Sequence, residues 1–399
     1  MHQTLQREMG LGGAIVTGLG SILGTGAFVA IGVAAGMWGD AVLLAVPLAG
    51  AVAVFNGLSS AYLAGRFPVA GGTYEYGYQT LGPWWGFTAG WLFLLAKTAS
   101  AATAALGVAL YLGISWDRRV VAIAAVVLVA ALVLAGLRRT IFVNTLLVTV
   151  TVLAIVGFGI AGRLEPGSAI SLADSVTFDG LLPATAFLFV AYTGYGRIAT
   201  LGEEVRRPER VIPRAVIVTL AMAVLLYAMV ELGGRATGGP EWGDVLNEGQ
   251  SPAQLVSRPF STMWAVGAVT AMLGALLNLV LGLSRVWLAM GRRKDMPGRL
   301  ARLDARSTPT AAVITAAVPV ALIALIGDIT LAWSYSAFNV LLYYGLTNLS
   351  ALALDRRRPT AWLGLGTCVF LSFFVPFQVW LAGAALIMVG LIWKRQRRS

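Results

Sequence analysis

The chain of 399 residues is 58% hydrophobic and 12% charged, and its mean hydropathy is +0.80, whereas about 25% of the residues of a soluble domain are charged. Its formal net charge is +11, and its single Cys, Cys368, and single His, His2, exclude an internal disulfide, a structural zinc site and an iron–sulfur cluster. The composition therefore predicts a protein embedded in a membrane, with neither metal nor organic cofactor.

Runs of about 20 apolar residues recur along the chain, and each is long enough to cross a bilayer as an α-helix. Helices are expected because lipid offers no partner to an unpaired backbone group. Twelve spans are predicted, at about 13–35, 41–65, 84–112, 120–137, 142–161, 182–201, 214–233, 260–290, 310–327, 330–353, 361–375 and 378–393. No soluble domain separates them, so the sequence predicts an all-α membrane protein folded as a single polytopic unit over residues 1–399.

The basic residues are distributed unevenly over the predicted loops. Most of the 29 Lys and Arg residues lie in one set of alternate loops, and the other set holds only Arg118, Arg119, Arg163, Arg235 and Arg258. This positive-inside pattern predicts that both termini are cytoplasmic and that the protein lies in the inner, cytoplasmic membrane of the cell. The positive charge is then expected to contact membrane lipid, and nucleic-acid binding is not expected because no basic soluble domain is present.

Glycines interrupt two of the predicted spans. The first span contains GLGSILGTGAF (18–28) and the sixth contains AYTGYG (191–196), although each Gly in a helix interior costs about 1 kcal/mol relative to Ala. The two spans are five apart in order and therefore cross the membrane in opposite directions. Such a pair predicts two inverted repeats, at about 10–162 and about 180–354, with additional helices at about 361–393.

An interrupted helix exposes backbone N–H groups to an anion and carbonyls to a cation in the middle of the membrane. The candidate substrate-binding residues are Gly20, Ser21, Ile22, Leu23, Gly24, Thr25 and Gly26 in the first span, and Ala191, Tyr192, Thr193, Gly194 and Tyr195 in the sixth. The GxxxG spacing of the first stretch is also typical of helix packing, and the two tyrosines could close over a substrate or only pack. Recurrence at positions related by the repeat favours the binding site.

Three further stretches stand near the ends of predicted spans: FPVAGGTYEYGYQTLGPWWGFTAGW (67–91), GEEVRRPERVIPRAV (202–216) and LSRVWLAMGRRKDMP (283–297). Together with GLGSILGTGAF they resemble motifs of the amino acid–polyamine–organocation (APC) superfamily of transporters. The resemblance implies the LeuT-type inverted-repeat fold with discontinuous helices 1 and 6, and secondary active transport of amino acids or related amines held at those breaks. By its own composition, the segment that starts at Phe67 predicts a short interfacial helix, because Pro and Gly punctuate it between aromatic anchors.

Lys97 lies close to the centre of the third predicted span, where a Lys costs about 2.5–3.5 kcal/mol on insertion scales. We therefore expect it to face the interior of the bundle as the titratable or fixed positive charge of the transport site. It either replaces a coupling cation or pairs with a substrate carboxylate; snorkelling to an interface and pairing with a buried acid are the structural alternatives. Many proton-coupled relatives in the superfamily place a Lys in the fifth helix, where this sequence has Thr151.

Arg197 is the second basic residue within a span, near a point where the superfamily often has a Glu. It lies about one turn from the cytoplasmic end of its span, so we expect it to snorkel or to pair with Glu203 or Glu204. The run EEVRRPER is either a solvated charged loop or part of an inner gate formed by Arg197, Glu203 and Glu204. In the eighth span, Asn278 and Ser284 either hydrogen-bond to neighbouring helices, the favoured interpretation, or line the region that binds a cation.

These observations predict a secondary active transporter, a permease that moves amino acids across the membrane by alternating access, by proton- or sodium-coupled symport or as an exchanger. A polyamine or another organic amine is the alternative substrate, and a channel or a sensor with the same fold is the alternative class. The sequence shows no nucleophile–base pair, metal cluster or phosphate-binding loop, so an enzyme is not expected.

Overall fold

The computed structural model describes residues 9–67, 71–113, 115–135, 137–164, 180–199, 205–238, 260–304 and 308–396. The helices in these residues are α1 (Leu11–Ile22), α2 (Ile31–Trp38), α3 (Ala41–Arg66), α4 (Thr73–Thr80), α5 (Pro83–Leu112), α6 (Arg118–Leu134), α7 (Leu137–Leu164), α8 (Leu181–Tyr192), α9 (Gly196–Ala199), α10 (Pro208–Gly238), α11 (Phe260–Arg292), α12 (Thr310–Ile326), α13 (Ile329–Leu354), α14 (Pro359–Ser372) and α15 (Phe377–Gln396). A π-helical turn at Gly26–Ala30 precedes α2, and a 3₁₀ turn at Thr193–Tyr195 joins α8 to α9.

Seven of the described helices are long and apolar enough to cross a membrane, namely α3, α5, α7, α10, α11, α13 and α15. The bent pair formed by Leu11–Ile22 and Gly26–Trp38 raises this number to eight when it is taken as one span. Two more helices, α12 and α14, are apolar but shorter. The prediction of an all-helical protein with many membrane spans is therefore confirmed for the part of the chain that the structure describes.

The first span breaks where its glycines cluster. α1 ends because Leu23 has an extended backbone (φ −74°, ψ 102°), and the next helical segment starts at an angle of 44° to it. A Cβ at Gly24 would lie 2.6 Å from the side chain of Ala275, and a Cβ at Gly26 would lie 2.6 Å from that of Ala191. Glycine is therefore needed on both sides of the break, since it allows α8 and α11 to approach this closely.

The sixth span breaks against the first. α8 ends at Tyr192, and the 3₁₀ turn that follows leads into α9 at Gly196. A Cβ at Gly194 would lie only 2.1 Å from the carbonyl oxygen of Ser21. The backbone of one break thus rests directly on the backbone of the other, an approach that only glycine permits.

α5 is the most enclosed of the seven long apolar helices. In its most apolar window 89% of the residues are buried, against 22% in α15. Alanine, serine and threonine dominate residues 96–105 of α5, and these small side chains let α11 and α13 pack closely against it. Lys97 is therefore buried midway along α5, among these small residues.

The segment after α3 contains the short helix that its sequence predicts, α4. In its first turn, the Thr73 hydroxyl shares a hydrogen bond of 2.7 Å with that of Thr347 on α13. Glu75 of α4 forms an ion pair with Arg293, which follows α11, with 2.8 Å between Oε1 and Nε. These contacts attach α4 to α13 and to the residues that follow α11, at the end of the bundle where α3 ends.

Candidate transport site

A cavity of about 150 Å³ lies where the two breaks meet, and α5, α11 and α13 complete its wall. The residues named from the sequence that line it are Ser21, Ile22, Gly24, Thr25, Gly26, Lys97, Ala191, Thr193, Gly194, Arg197 and Asn278. Glu203 and Glu204 lie outside the described residues. The two glycine-rich stretches, far apart in the sequence, therefore contribute to one wall of one cavity.

Two residues of the first glycine-rich stretch, Gly20 and Leu23, face α7 and the hydrophobic core and not the cavity. A Cβ at Gly20 would lie 2.6 Å from the side chain of Val148, and Leu23 is 2% exposed within the core. Next to them, Asn278 of α11 donates to Oδ1 of Asn144 on α7 at 2.7 Å, the predicted bond between helices. Because successive residues of a helix end point in different directions, Gly20 and Leu23 are not among the residues that line the cavity.

The two tyrosines of the sixth break pack against neighbouring helices. Tyr192 donates to the carbonyl of Val46 at 2.9 Å, and the ring of Tyr195 lies 5.2 Å from that of Tyr344. Neither Tyr192 nor Tyr195 lines the cavity, so the packing alternative holds for both in this conformation. The hydroxyl of Ser284 also departs from expectation, because it donates at 2.8 Å to a carbonyl of its own helix and not to a neighbouring one.

One tyrosine that sequence analysis did not single out joins the two breaks. The hydroxyl of Tyr227, from α10, lies 2.8 Å from the carbonyl oxygen of Ile22 and 2.9 Å from that of Ala191. A hydroxyl has a single proton to donate, so the two carbonyls share it. The protein itself therefore engages two of the carbonyls at the ends of α1 and α8, and Tyr227 ties these two ends together.

Lys97 reaches the cavity from α5 and contacts the break in the sixth span. The residue is 8% exposed, and its Nζ donates to Oγ1 of Thr193 at 2.9 Å. That hydroxyl in turn donates to the carbonyl of Val190 at 2.7 Å, so it accepts from Lys97. None of the four ion pairs among the described residues includes Lys97. A buried ammonium group thus lies at the cavity with a hydroxyl as its hydrogen-bond acceptor.

The cavity wall carries three basic side chains. Arg197 from α9 and Arg285 from α11 line it together with Lys97, and no acidic residue is found in the described lining. Arg285 lies seven residues before the end of α11, about 10 Å along the helix axis. From the sequence it belongs to the basic end of that span, and its place in the cavity depends on how α11 packs against α5.

Aromatic rings pack together beside the cavity, around Trp333. The indole nitrogen of Trp333, which lines the cavity, donates to the carbonyl of Phe187 at 2.9 Å. The ring of Phe187 in turn lies 5.4 Å from that of Trp38. Gly71 and Gly72, which precede α4, line the cavity as well. Because Trp38 precedes α3 and Gly71 follows it, the aromatic cluster and these glycines lie toward opposite faces of the membrane.

Interrupted helices around a central cavity, within a chain that has several apolar spans, define a multi-pass membrane transporter. The amino acid permease family matches residues 13–394, and the chain belongs to that family. The resemblance to the APC superfamily is thereby confirmed.

The proteins similar to this chain are named as transporters or permeases, and the kinds of amino acid in their names differ. The chain is 40% identical to an uncharacterized transporter of Mycobacterium tuberculosis, over 97% of this chain and 90% of that protein. It is 28% identical to the cationic amino acid transporter 3, mitochondrial, of Arabidopsis thaliana, over 82% of this chain and 59% of that one. It is 26% identical to a branched-chain amino acid permease of Bacillus subtilis, over 76% of this chain and 70% of that one.

Proposed function

We propose that the protein is a secondary active transporter that moves amino acids across the cytoplasmic membrane by alternating access. The chain would act as a single polytopic unit of twelve spans with both termini in the cytoplasm. In this proposal the spans form two inverted repeats of the LeuT type, at about 10–162 and about 180–354, and the helices at about 361–393 are an addition to them.

One observation carries the proposal: the two interrupted helices cross at a cavity. Gly194 and Ser21 bring the two breaks together, and residues of both breaks line the same space of about 150 Å³. Paired breaks at the interface of inverted repeats are the expected substrate site of such transporters. The names of the relatives, which include amino acid transporters of several kinds, support an amino acid as the substrate.

The ends of the half-helices suit a zwitterion. The C-terminal end of α1 is the negative end of a helix dipole and favours an ammonium group, while the N-terminal end of the segment that begins at Gly26 favours a carboxylate. Since Tyr227 already engages the carbonyls of Ile22 and Ala191, the substrate ammonium group would bind the remaining acceptors around Ser21.

Lys97 is proposed as the fixed or titratable positive charge of this site, with a proton or a sodium ion as the coupling partner or exchange without one. Arg197, which lines the cavity, is proposed to form an inner gate with Glu203 and Glu204. Gly71 and Gly72 line the cavity and aromatic rings pack around Trp333, and we propose that this arrangement is an inward-facing conformation.

The proposal is tested by uptake of radiolabelled amino acids into proteoliposomes under imposed proton and sodium gradients. Saturable uptake that is accelerated by substrate on the opposite side of the membrane is expected of a carrier. Ion conductance without saturable uptake would identify a channel, and binding without movement of substrate would identify a sensor; either result would overturn the proposal.

A further inference from the structure

On the basis of the proposed function, we propose that the preferred substrate is an amino acid with a second carboxylate, of the size of aspartate or glutamate. In this proposal the half-helix ends hold the backbone groups of the substrate, and Lys97 binds its side-chain carboxylate. Amino acids with cationic side chains are rejected by the same charge.

The first support is the incomplete coordination of Lys97. An ammonium group has three protons to donate, and the described hydrogen bond, to Thr193, uses one of them. The residue is 8% exposed and takes part in none of the described ion pairs. Burial of a charge in a medium of low polarity is unfavourable unless an opposite charge or further hydrogen bonds compensate it. An anionic ligand in the cavity provides both.

The second support is the side from which Lys97 reaches the cavity. The proposed function assigns the carboxylate common to all amino acids to the half-helix that begins at Gly26, whereas Lys97 enters from α5 and contacts Thr193 in the break of the sixth span. Phe93 and Ser100 line the cavity from the same face of α5, one turn to either side. This face therefore contacts the substrate side chain, with the ammonium group at its middle.

The third support is the charge of the remaining wall. Arg197 and Arg285 also line the cavity, and the described lining contains no acidic side chain that would bind a lysine, an arginine or a polyamine. Both arginines have partners of their own, so the charge assigned to the substrate contact is that of Lys97. Lys97, which takes part in none of the described ion pairs, would repel a cationic side chain at close range in a poorly solvated cavity.

The cavity is large enough for such a ligand. Its volume is about 150 Å³, about ten times the 10–15 Å³ that a single water requires, so a small amino acid such as aspartate or glutamate fits within it.

The test compares glutamate with glutamine, which has the same shape without the charge. Uptake of radiolabelled glutamate, glutamine, leucine and lysine is measured in the same proteoliposomes over a range of concentrations. We expect glutamate to have the highest kcat/KM, with a preference over glutamine of roughly 10- to 100-fold, as expected for one charge-assisted hydrogen bond. Lysine is expected to be the poorest substrate of the four.

Variants of Lys97 test whether this residue carries the preference. Lys97→Gln is expected to remove the preference for glutamate over glutamine, and Lys97→Arg, which keeps the charge, is expected to retain its direction. The matched control is Lys294→Gln, the same exchange at an exposed lysine outside the cavity, which is expected to leave the preference unchanged.

The possible results separate this proposal from the function on which it rests. If the wild-type protein transports leucine, glutamine or lysine in preference to glutamate, the acidic substrate is wrong and the amino acid transporter stands. If Lys97→Gln slows every substrate equally and leaves the preference intact, Lys97 is a coupling charge and not a specificity residue. If no amino acid is taken up or bound, both proposals fail. The wild-type ranking decides the substrate class even if a Lys97 variant does not fold.

Discussion

Two buried lysines of this chain, Lys394 and Lys97, have different kinds of partner. Lys394, near the end of α15, is 5% exposed and forms an ion pair with Asp295, and its Nζ also donates to the hydroxyl of Tyr78 at 2.8 Å. Lys97, in the middle of α5, is 8% exposed and donates to a hydroxyl of Thr193. The degree of burial is similar, but among the described residues a counter-charge is present at only the first of these two sites.

The Lys394 site is a closed network at the α4 end of the bundle. The Asp295 carboxylate also accepts hydrogen bonds from Tyr78 and, at 2.9 Å, from Tyr74, and the Trp393 indole donates to the Asp295 carbonyl at 3.1 Å. Burial, followed by the charge of Asp295, raises the pKa of Tyr74 well above its ordinary value, so this hydroxyl stays a donor. This ion pair and these hydrogen bonds hold α15 against α4 and against the loop after α11.

The two partners give the two lysines different consequences for stability. A buried ion pair that is complete within the chain holds helices together, and removal of one partner leaves the other uncompensated. A buried cation with only a hydroxyl partner contributes little to stability and remains able to bind an anion. The two sites should therefore respond to the same substitution with opposite effects on stability and on transport.

The largest expected effect is on stability, from Lys394→Met. Removal of the ammonium group leaves the buried Asp295 carboxylate without its counter-charge, which is expected to lower the free energy of unfolding by about 3–5 kcal/mol. The measurement is the apparent melting temperature of the purified protein in detergent, together with unfolding in increasing concentrations of a denaturing detergent.

A second substitution at the same site is the control. Lys394→Met combined with Asp295→Leu removes both charges, and the double variant is expected to recover most of the lost stability because no buried charge remains. A double variant as unstable as Lys394→Met would show that packing of the long side chain, and not the ion pair, fastens α15.

The next effect is expected from Gly194→Ala, at the contact between the two breaks. The added methyl group would lie 2.1 Å from the Ser21 carbonyl oxygen, a backbone atom that cannot rotate away. Overpacking of this kind costs about 1–3 kcal/mol, and we expect it to separate the breaks and to abolish substrate binding. Gly366→Ala on α14, where no atom lies within 4 Å of the new Cβ, is the matched control. Equal uptake by the two variants would argue against binding at the breaks.

A smaller effect is expected from Ser336→Ala. The Ser336 and Ser100 hydroxyls share a hydrogen bond of 2.7 Å between α13 and α5, next to Lys97 on the cavity face. Its loss is expected to lower stability by about 0.5–1.5 kcal/mol, with a modest increase in KM because Ser100 loses its fixed orientation. A change in kcat alone, with KM and melting temperature unaltered, would contradict this assignment.

The smallest effect on stability is expected at Lys97 itself. Lys97→Met removes a buried charge without leaving a carboxylate unpaired in the described surroundings, so the free energy of unfolding is expected to stay within about 1 kcal/mol of the wild type or to rise. Uptake of glutamate is nevertheless expected to fall to the level of glutamine. A melting temperature that drops as far as that of Lys394→Met would mean that Lys97 has a structural counter-charge.

Much of the architecture can be predicted from the chain because its signals are local. Apolar runs of sufficient length identify spans, and the glycines of 18–28 and 191–196 lie at the two breaks because helix propensity is a property of neighbouring residues. The segment after Phe67 yields the predicted short helix α4 for the same reason. The depth of Lys97 follows from its distance to the ends of one apolar run.

The partners across the bundle could not be predicted in this way. Tyr227 ties the ends of α1 and α8, Arg285 and Trp333 line the cavity, and Asp295 pairs with Lys394, although each lies far along the chain from what it contacts. The hydrophobic pattern around these residues is that of any apolar helix. The neighbouring sequence therefore does not indicate which distant residue each of them contacts.

An all-helical membrane protein, two interrupted helices and one deeply placed lysine can all be inferred from the order of the residues. The packing of the helices was needed to show that the interruptions meet, that Tyr192 and Tyr195 pack away from the cavity, and that Lys97 donates to Thr193 while Lys394 has a carboxylate. The physical reason is that hydropathy and glycine act on the segment that carries them, whereas compensation of a buried charge depends on which distant helix packs against it.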